Sequence, residues 1–368
     1  MTGRVLILGG RGRIGSSVAV DLLRHTQTLI TITGRTADSE KSNWREQLGS
    51  DVEFLALNLA DQESVKQAIA STDLVVHCAG PFKQRDASVL QMCIEQGVNY
   101  IDVSDDRSFT HTALALQEAA QTAGVTAIVN SGVFPGISNS MVRQGIEQFD
   151  SPEYIHLSYV VAGSGGAGVT VMRTTFLGLQ HPFDVWIDNQ WRKVKPYTGR
   201  ETIEFPDPFG RTGVYWFDMP EAFTLTDSFP VKTVIVKFGS TPDLYNHLTS
   251  IVANWLPAEL IHQSRVIEFL SNVSYGMTSV TDRFSGIGVA MRAEVRGQKA
   301  GRSMGYCSTF VHDNTATAVG YGTGSIAQLI LAGQLTKPGV WAVEQALSTD
   351  LFEQTMHSRN VTIREQWL

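Results

Sequence analysis

The chain has 368 residues, 43% of them hydrophobic and 18% charged, with a formal net charge of −7. That length favours two domains over a single core, and the acidic balance, with no basic cluster interleaved with aromatics, argues against a nucleic-acid surface. Three widely spaced cysteines (Cys78, Cys93 and Cys307) imply reduced thiols and a cytoplasmic protein, without a disulfide framework or zinc knuckle. No metal site is expected, because no two of the nine histidines have ligand spacing on a helix. Neither a signal peptide nor a membrane span is expected: Val5 to Leu8 is too short for a signal, and Ile326 to Ala332 is too short to cross a bilayer.

Arg4 to Leu8 is a short aliphatic run, followed at once by Gly9-Gly10-Arg11-Gly12-Arg13-Ile14-Gly15 and by Ile14, Val18 and Leu22 at helical spacing. Strand, glycine turn and helix is the setting in which G-x-G-x-x-G binds a dinucleotide. Gly10 permits the tight turn, Gly12 lets main-chain N–H groups approach a pyrophosphate, and Gly15 lets the helix sit close to the strand. The phosphates then lie at a helix N-terminus, where unpaired N–H groups favour negative charge.

The second strand, Leu29 to Thr33, ends near the adenosine ribose. Chains selecting NAD carry Asp or Glu there, whereas this one has Gly34-Arg35-Thr36. A guanidinium grips a 2′-phosphate in two hydrogen bonds. Arg35, assisted by Thr36 and Arg11, therefore predicts NADP(H).

A short helix is expected over Ser39 to Gly49, and a third strand over Val52 to Leu57. Asn58 borders the adenine, while Asp61 borders it or caps the next helix. The fourth strand, Leu74 to Ala79, runs into Gly80-Pro81-Phe82, where a small residue and a rigid turn let a nicotinamide pass; His77 and Cys78 read as core. A helix from Ala87, a fifth strand Tyr100 to Val103, a helix from Phe109 to Ala123 and a sixth strand Thr126 to Asn130 complete a parallel, doubly wound sheet.

Beyond the turn Ser131 to Asn139 the pattern changes to long strands, expected over Ile155–Val161, Lys232–Phe238, Gly288–Val295, Cys307–His312 and Ala316–Tyr321. Met291, Ala293 and Val295 alternate with Arg292, Glu294 and Arg296, which predicts a sheet with one wet face. The apolar stripe Leu244, Leu248, Ile251, Val252 and Trp255 predicts a helix among those that cover the sheet, and this half of the chain is expected to supply a homodimer surface. The tail returns to helices that pack back on the first domain. The fold class is α/β: a Rossmann domain over 1–134, a second α+β domain on a mixed or antiparallel sheet over 135–321, and C-terminal helices over 322–368.

Spread along the chain, Val5 to Gly10, Cys78-Ala79-Gly80-Pro81-Phe82, Tyr100 to Ser104, Val133 to Asn139 and Gly322 to Val340 together resemble the saccharopine dehydrogenase-like family, in the NADP-dependent branch that contains saccharopine reductase. The resemblance implies hydride transfer between NADPH and a small substrate held in a cleft, with reduction of an imine to an opine-like secondary amine as the best-known chemistry. It adds Arg173 as a ligand of a substrate carboxylate, while Ala79, Gly80 and Pro81, read above as the nicotinamide turn, put Phe82 toward the substrate. Phe134 stands where saccharopine reductases usually have an aspartate.

A hydride acceptor also needs a proton. Asp105 and Ser104 after the fifth strand, and Asn139 beyond the turn, are the candidates; the alternative for Asp105 and Asp106 is capping of the next helix. No tyrosine has a lysine four residues later, so the short-chain dehydrogenase acid is missing. Two alternatives remain: reduction of an apolar C=C or C=O substrate in a pocket lined by aromatics such as Phe176, Trp186 and Trp216, or a non-catalytic NADP sensor.

Overall fold

In the computed structural model, residues 3–35, 48–49, 52–163, 165, 169–257, 260 and 263–368 are described, with backbone alone at 170 and 171. Thr36 and most of the helix expected over Ser39 to Gly49 lie outside them. The first aliphatic run forms β1 (Arg4–Leu8), followed by α1 (Arg13–His25), β2 (Leu29–Gly34), β3 (Val52–Ala56), α2 (Gln62–Ile69) and β4 (Leu74–His77). Then come α3 (Ser88–Gln96), β5 (Asn99–Asp102), α4 (Arg107–Leu114), α5 (Gln117–Thr122) and β6 (Thr126–Val129). The single helix expected over Phe109 to Ala123 is thus two.

Next follow α6 (Ile137–Ile146), β7 (Ser151–Ala162), α7 (Val169–Gly178), β8 (Phe183–Ile187), β9 (Gln190–Val194), β10 (Glu201–Glu204) and β11 (Arg211–Trp216). After α8 (Glu221–Ser228), β12 (Thr233–Thr241), α9 (Asp243–Trp255) and α10 (Ser264–Ser285), the long hairpin β13 (Val289–Lys299) and β14 (Arg302–His312) leads into the tail. The tail holds α11 (Thr315–Leu331), β15 (Gly339–Ala342), α12 (Val343–Ala346), α13 (Thr349–Ser358) and β16 (Ile363–Trp367).

Two compact units result: Met1–Ile137 with Ala316–Arg359, and Ser138–Thr315 with Asn360–Leu368. The sheet of the first has the order β15-β6-β5-β4-β1-β2-β3, and every pairing in it is parallel. Its central strands are buried on both faces, as aliphatic runs without alternation require. The strand order reverses between β1 and β4, which opens a crevice at their carboxyl ends.

Two corrections concern the tail. Ala316 to Tyr321, expected as a strand, forms the start of α11. The alternating small residues that look like strand pattern are there for close packing: a Cβ on Gly320 would lie 2.7 Å from the Ser17 carbonyl oxygen, and one on Gly324 2.1 Å from Asp21 Oδ2. Nor is the tail all helix, since β15 joins β6 and β16 joins β14. Beside the α1–α11 contact, Arg359 reaches Asp21 in a buried pair, Nη2–Oδ2 2.6 Å and Nε–Oδ1 3.0 Å. Burial raises the Asp21 pKa, and Arg359 opposes that shift.

The second sheet runs β10-β11-β12-β7-β13-β14-β16, with β8 and β9 attached to β12. It is mixed, because β12 and β7 are parallel and the other pairs antiparallel. Its polar face is less wet than expected. Glu294 is buried, held by Arg292 Nη1 at 2.7 Å and by Arg296. Burial alone would raise the Glu294 pKa, but the two guanidiniums bring it below the ordinary value. Lys237, also buried, is held by the Gly199 carbonyl, Glu201 and the Trp216 ring. The stripe on α9 differs from expectation too: it points outward, leaving Leu244, Ile251 and Trp255 exposed.

Arg359→Met should destabilise the first unit by about 3 kcal/mol, because it strands a buried carboxyl. Adding Asp21→Asn should recover part of that loss. Thermal unfolding of both variants, followed by circular dichroism, checks this.

Candidate functional site

The turn after β1 is held by main chain and by one side chain, the Thr33 hydroxyl, whose Oγ1 accepts from Gly9 N at 3.1 Å. Gly10 N donates to Ile7 O (3.1 Å), Gly12 N to Gly9 O (2.9 Å) and Arg11 N to Thr33 O (3.3 Å). Gly15 must be glycine, because a Cβ there would lie 2.5 Å from Gly10 Cα. Gly12 is different, since a Cβ on it would meet only the Gly9 carbonyl oxygen, at 3.2 Å. Gly12 is also the N-cap of α1, with no side-chain cap and no acidic residue in the first turn. The first turn of α1, through Arg13, Ile14 and Gly15, therefore presents amide donors and a positive dipole end to an anion.

Cations gather beyond the end of β2. Arg11 lies against Gly34, its Nε 3.2 Å from where a Cβ would be, with its guanidinium carbon 5.7 Å from the centre of the Phe54 ring. Arg35 is exposed and forms no hydrogen bond or ion pair among the described residues. Arg85, which the sequence reading missed, donates from Nε to Ala79 O at 3.0 Å. Partial burial, and then repulsion by Arg35, lowers the Arg85 pKa. Asn58, on the neighbouring strand end, is exposed and accepts from Ala60 N, while Asp61 caps α2 by accepting from Ser64 N.

The turn after β4 touches the turn after β1: a Cβ on Gly9 would sit 2.9 Å from Ala79 Cα. His77 and Cys78 precede it. Burial lowers His77 to about 3, so it is neutral, and raises the Cys78 thiol above its ordinary value. Phe82, past Gly80 and Pro81, is 3% exposed and packs edge-on against His77 (5.0 Å) and Phe109 (4.9 Å), inside the core.

Three carboxyls at the end of β5 have different fates. Asp106 caps α4, accepting from Phe109 N at 2.8 Å. Asp102, also missed by the sequence reading, is fully buried. Its Oδ1 accepts from Ser104 N (2.9 Å) and Asn130 N (3.0 Å), clamping the loops after β5 and β6. Asn130, at φ 62°, returns its Nδ2 to Ser104 O (2.9 Å) and Thr110 Oγ1 (2.8 Å). Burial raises Asp102 to about 7 even though the two amides favour its charged form. One cue was available: a carboxylate closing a strand otherwise buried on both faces needs donors there.

Ser104 is buried, and its hydroxyl oxygen accepts from Asp106 N at 3.2 Å, which makes it part of the loop. Asp105 keeps its carboxyl free of hydrogen bonds to other side chains; burial, and then the charge of Asp106, raises it to about 6. Asn139 and Arg173 belong to the second unit. Asn139 is buried on α6, taking a hydrogen bond from Ser138 Oγ at 3.2 Å, and Ser138 Oγ also reaches Glu221. Arg173 forms a bidentate pair with Glu268, Nε–Oε2 3.0 Å and Nη2–Oε1 2.8 Å.

A parallel sheet with its strand order reversed beside a glycine turn, and an uncapped helix end facing that crevice, define a dinucleotide-binding unit of the Rossmann type. Residues 5–128 match the saccharopine dehydrogenase NADP-binding domain. This match takes in the glycine turn and the strands up to β6. A carboxynorspermidine synthase of Vibrio cholerae is 24% identical over 95% of this chain and 94% of its own. Among solved structures, saccharopine dehydrogenase (L-Glu forming) of Saccharomyces cerevisiae covers all of both chains at TM-score 0.69 and 14% identity. The homospermidine synthase of Legionella pneumophila in complex with NAD covers all of this chain and 92% of its own, at TM-score 0.68 and 12% identity. Both structural likenesses are likenesses of fold. Among the described residues, no helix is long and apolar enough to cross a membrane.

Gly12→Val should keep the circular dichroism spectrum and lose nucleotide binding at least about tenfold, since its side chain would occupy the phosphate approach. Gly15→Val should instead lose the fold of the first unit. Titration of NADPH fluorescence, with circular dichroism alongside, separates the two outcomes.

Proposed function

We propose that the protein is an NADP(H)-dependent oxidoreductase that transfers hydride to a C=N bond, giving a secondary amine of the opine or carboxylated polyamine class. The observation that carries the cofactor choice is the pair of guanidiniums, Arg11 and Arg35, at the end of β2, where a carboxylate would select NAD. In this reading the first turn of α1 holds the pyrophosphate, and Arg35 with Arg11 holds the 2′-phosphate. Asn58 borders the adenine, and Ala79, Gly80 and Pro81 let the nicotinamide pass. The bound nicotinamide supplies the hydride.

Asp105 is the proton donor of this reading. Its carboxyl is neither spent on a helix cap, as that of Asp106 is, nor locked in a main-chain clamp, as that of Asp102 is. With a pKa of about 6 it is protonated at mildly acidic pH and hands its proton to the nitrogen as the carbon takes the hydride. Ser104 and Asp102 hold the loop that carries it. Asn139 and Arg173 are the residues of the second unit proposed to face the substrate, with Arg173 exchanging Glu268 for a substrate carboxylate. The names of the relatives along the full chain, a carboxynorspermidine synthase and a homospermidine synthase, favour an amine product. The apolar-substrate alternative has less support, because Phe176, Phe183, Tyr215 and Phe217 are buried in packing within the second unit and Trp216 is engaged by Lys237.

Arg35→Asp should weaken NADPH binding by about tenfold or more and shift preference toward NADH; unchanged NADPH affinity in a fluorescence titration would overturn the assigned role. Reduction of an imine panel should run fastest below about pH 6 and fall as Asp105 ionises above it. Asp105→Asn should lower the rate and flatten that profile. A variant profile parallel to the parent's would remove Asp105 from the chemistry.

A further inference from the structure

The glycine turn after β1 has cations on both sides of it. In the first sheet β1 lies between β4 and β2, so the ends of those two strands flank the turn. Arg35 follows β2. Arg85 belongs to the β4 side, where Phe82–Gln84 forms a single 3-10 turn that Arg85 N closes on Phe82 O at 2.8 Å. Phe82 is buried in the core, so the backbone of Arg85 is fixed by an anchor three residues before it.

The side chain of Arg85 is tied at one atom. Nε donates to Ala79 O at 3.0 Å, and among the described residues Nη1 and Nη2 have no hydrogen bond or ion pair. Asp86, the next residue, does not neutralise it. The Asp86 Oδ1 accepts from Ser88 N at 3.1 Å, and Arg35 acts on Arg85 more strongly than Asp86 does. Arg35 likewise has no partner among the described residues. Two exposed guanidiniums thus stand close enough to repel, each with N–H groups to spare. An anion with several oxygens completes such a pair, and a phosphoryl group supplies them in fork geometry where a ribose hydroxyl does not.

The acceptor that holds Arg85 matters as much as the spare donors. Ala79 opens the Ala79-Gly80-Pro81 turn, and it packs on the glycine turn so closely that a Cβ on Gly9 would lie 2.9 Å from Ala79 Cα. One side chain therefore holds the turn assigned to the nicotinamide and stands beside the cation assigned to the 2′-phosphate.

We infer that Arg85 is a specificity-determining residue of the nucleotide site: its Nη groups join Arg35 on the adenosine 2′-phosphate, while its Nε keeps the Ala79–Pro81 turn in place for the nicotinamide. This rests on the cofactor reading above and adds a link to it, since the phosphate that distinguishes NADP(H) would bind the same side chain that steadies the turn beside the reactive ring.

Titration calorimetry of the full chain with adenosine 2′,5′-bisphosphate and with adenosine 5′-monophosphate tests this, because both lack nicotinamide and only the first carries the 2′-phosphate. The parent should prefer the bisphosphate by at least about 30-fold. Arg85→Ala should cut that preference about tenfold and keep the monophosphate within about twofold of the parent, which shows that the glycine turn is intact. Arg85→Lys keeps the charge but cannot hold Ala79 O and the phosphate at once. It should recover the bisphosphate and still bind NADPH more weakly than the parent; NADPH as tight as in the parent would break the link to the turn. An unchanged preference in Arg85→Ala, or a loss shared equally by both nucleotides, would remove Arg85 from the phosphate site. If Arg35→Ala then abolishes the preference, the cofactor reading stands without Arg85. A parent chain that binds the two nucleotides alike would overturn both.

Discussion

Helix α1 is gripped from both sides by contacts that only main chain or the smallest residues allow. On the sheet side, Gly15 lies against Gly10. On the outer side, Gly320 and Gly324 of α11 lie against Ser17 and Asp21. With both flanks pinned, the N-terminal turn of α1 is fixed at the crevice between β1 and β4, and its amides are preorganised for an anion instead of being ordered by it. The buried pair of Asp21 with Arg359 ties the end of α13 to the same helix. A tail far away in sequence therefore helps to position a loop that begins at residue 9.

The same economy governs the acids at the end of β5. Asp102, Asp105 and Asp106 lie within five residues, and their environments separate them by function. Asp106 takes an orphan helix amide, Asp102 takes two loop amides in a dry setting, and Asp105 takes only its own. The free one is set apart because its neighbours satisfy the backbone around it. Polar burial in the second unit follows a similar logic, with Glu294 held by two arginines and Lys237 by a carbonyl, a carboxylate and an indole.

The Rossmann order of β1 to β6 was readable because each element carries its own signal: aliphatic strand, glycine turn, amphipathic helix. What escaped depends on partners distant in the chain. Four residues, Gly339 to Ala342, become a strand because β6 offers an edge, and nothing local distinguishes them from a turn. Ala316 to Tyr321 has the alternation of a strand, yet its small residues answer to α1. On α9, periodicity identifies a helix but cannot say which way the stripe faces. Asp102 escaped for a related reason, since its role is defined by two amides, one of them 28 positions onward in Asn130. Of the candidate site, the glycine turn, Arg11 and Arg35 were legible, whereas Arg85 and the clamp around Asp105 were not.

The chain passes between its two units three times, after Ile137, after Thr315 and after Arg359. Neither unit is one uninterrupted stretch of sequence, so a simple truncation cannot isolate either. Within the first unit, however, the departing and returning segments run side by side: a Cβ on Gly322 would fall 2.2 Å from the Gly132 carbonyl oxygen. A short artificial bridge from Ile137 to Ala316, with the chain ended at Arg359, would thus excise the second unit and leave the seven parallel strands in one piece. Such a shortcut would make a minimal nucleotide-sensing module from a protein whose halves are interleaved.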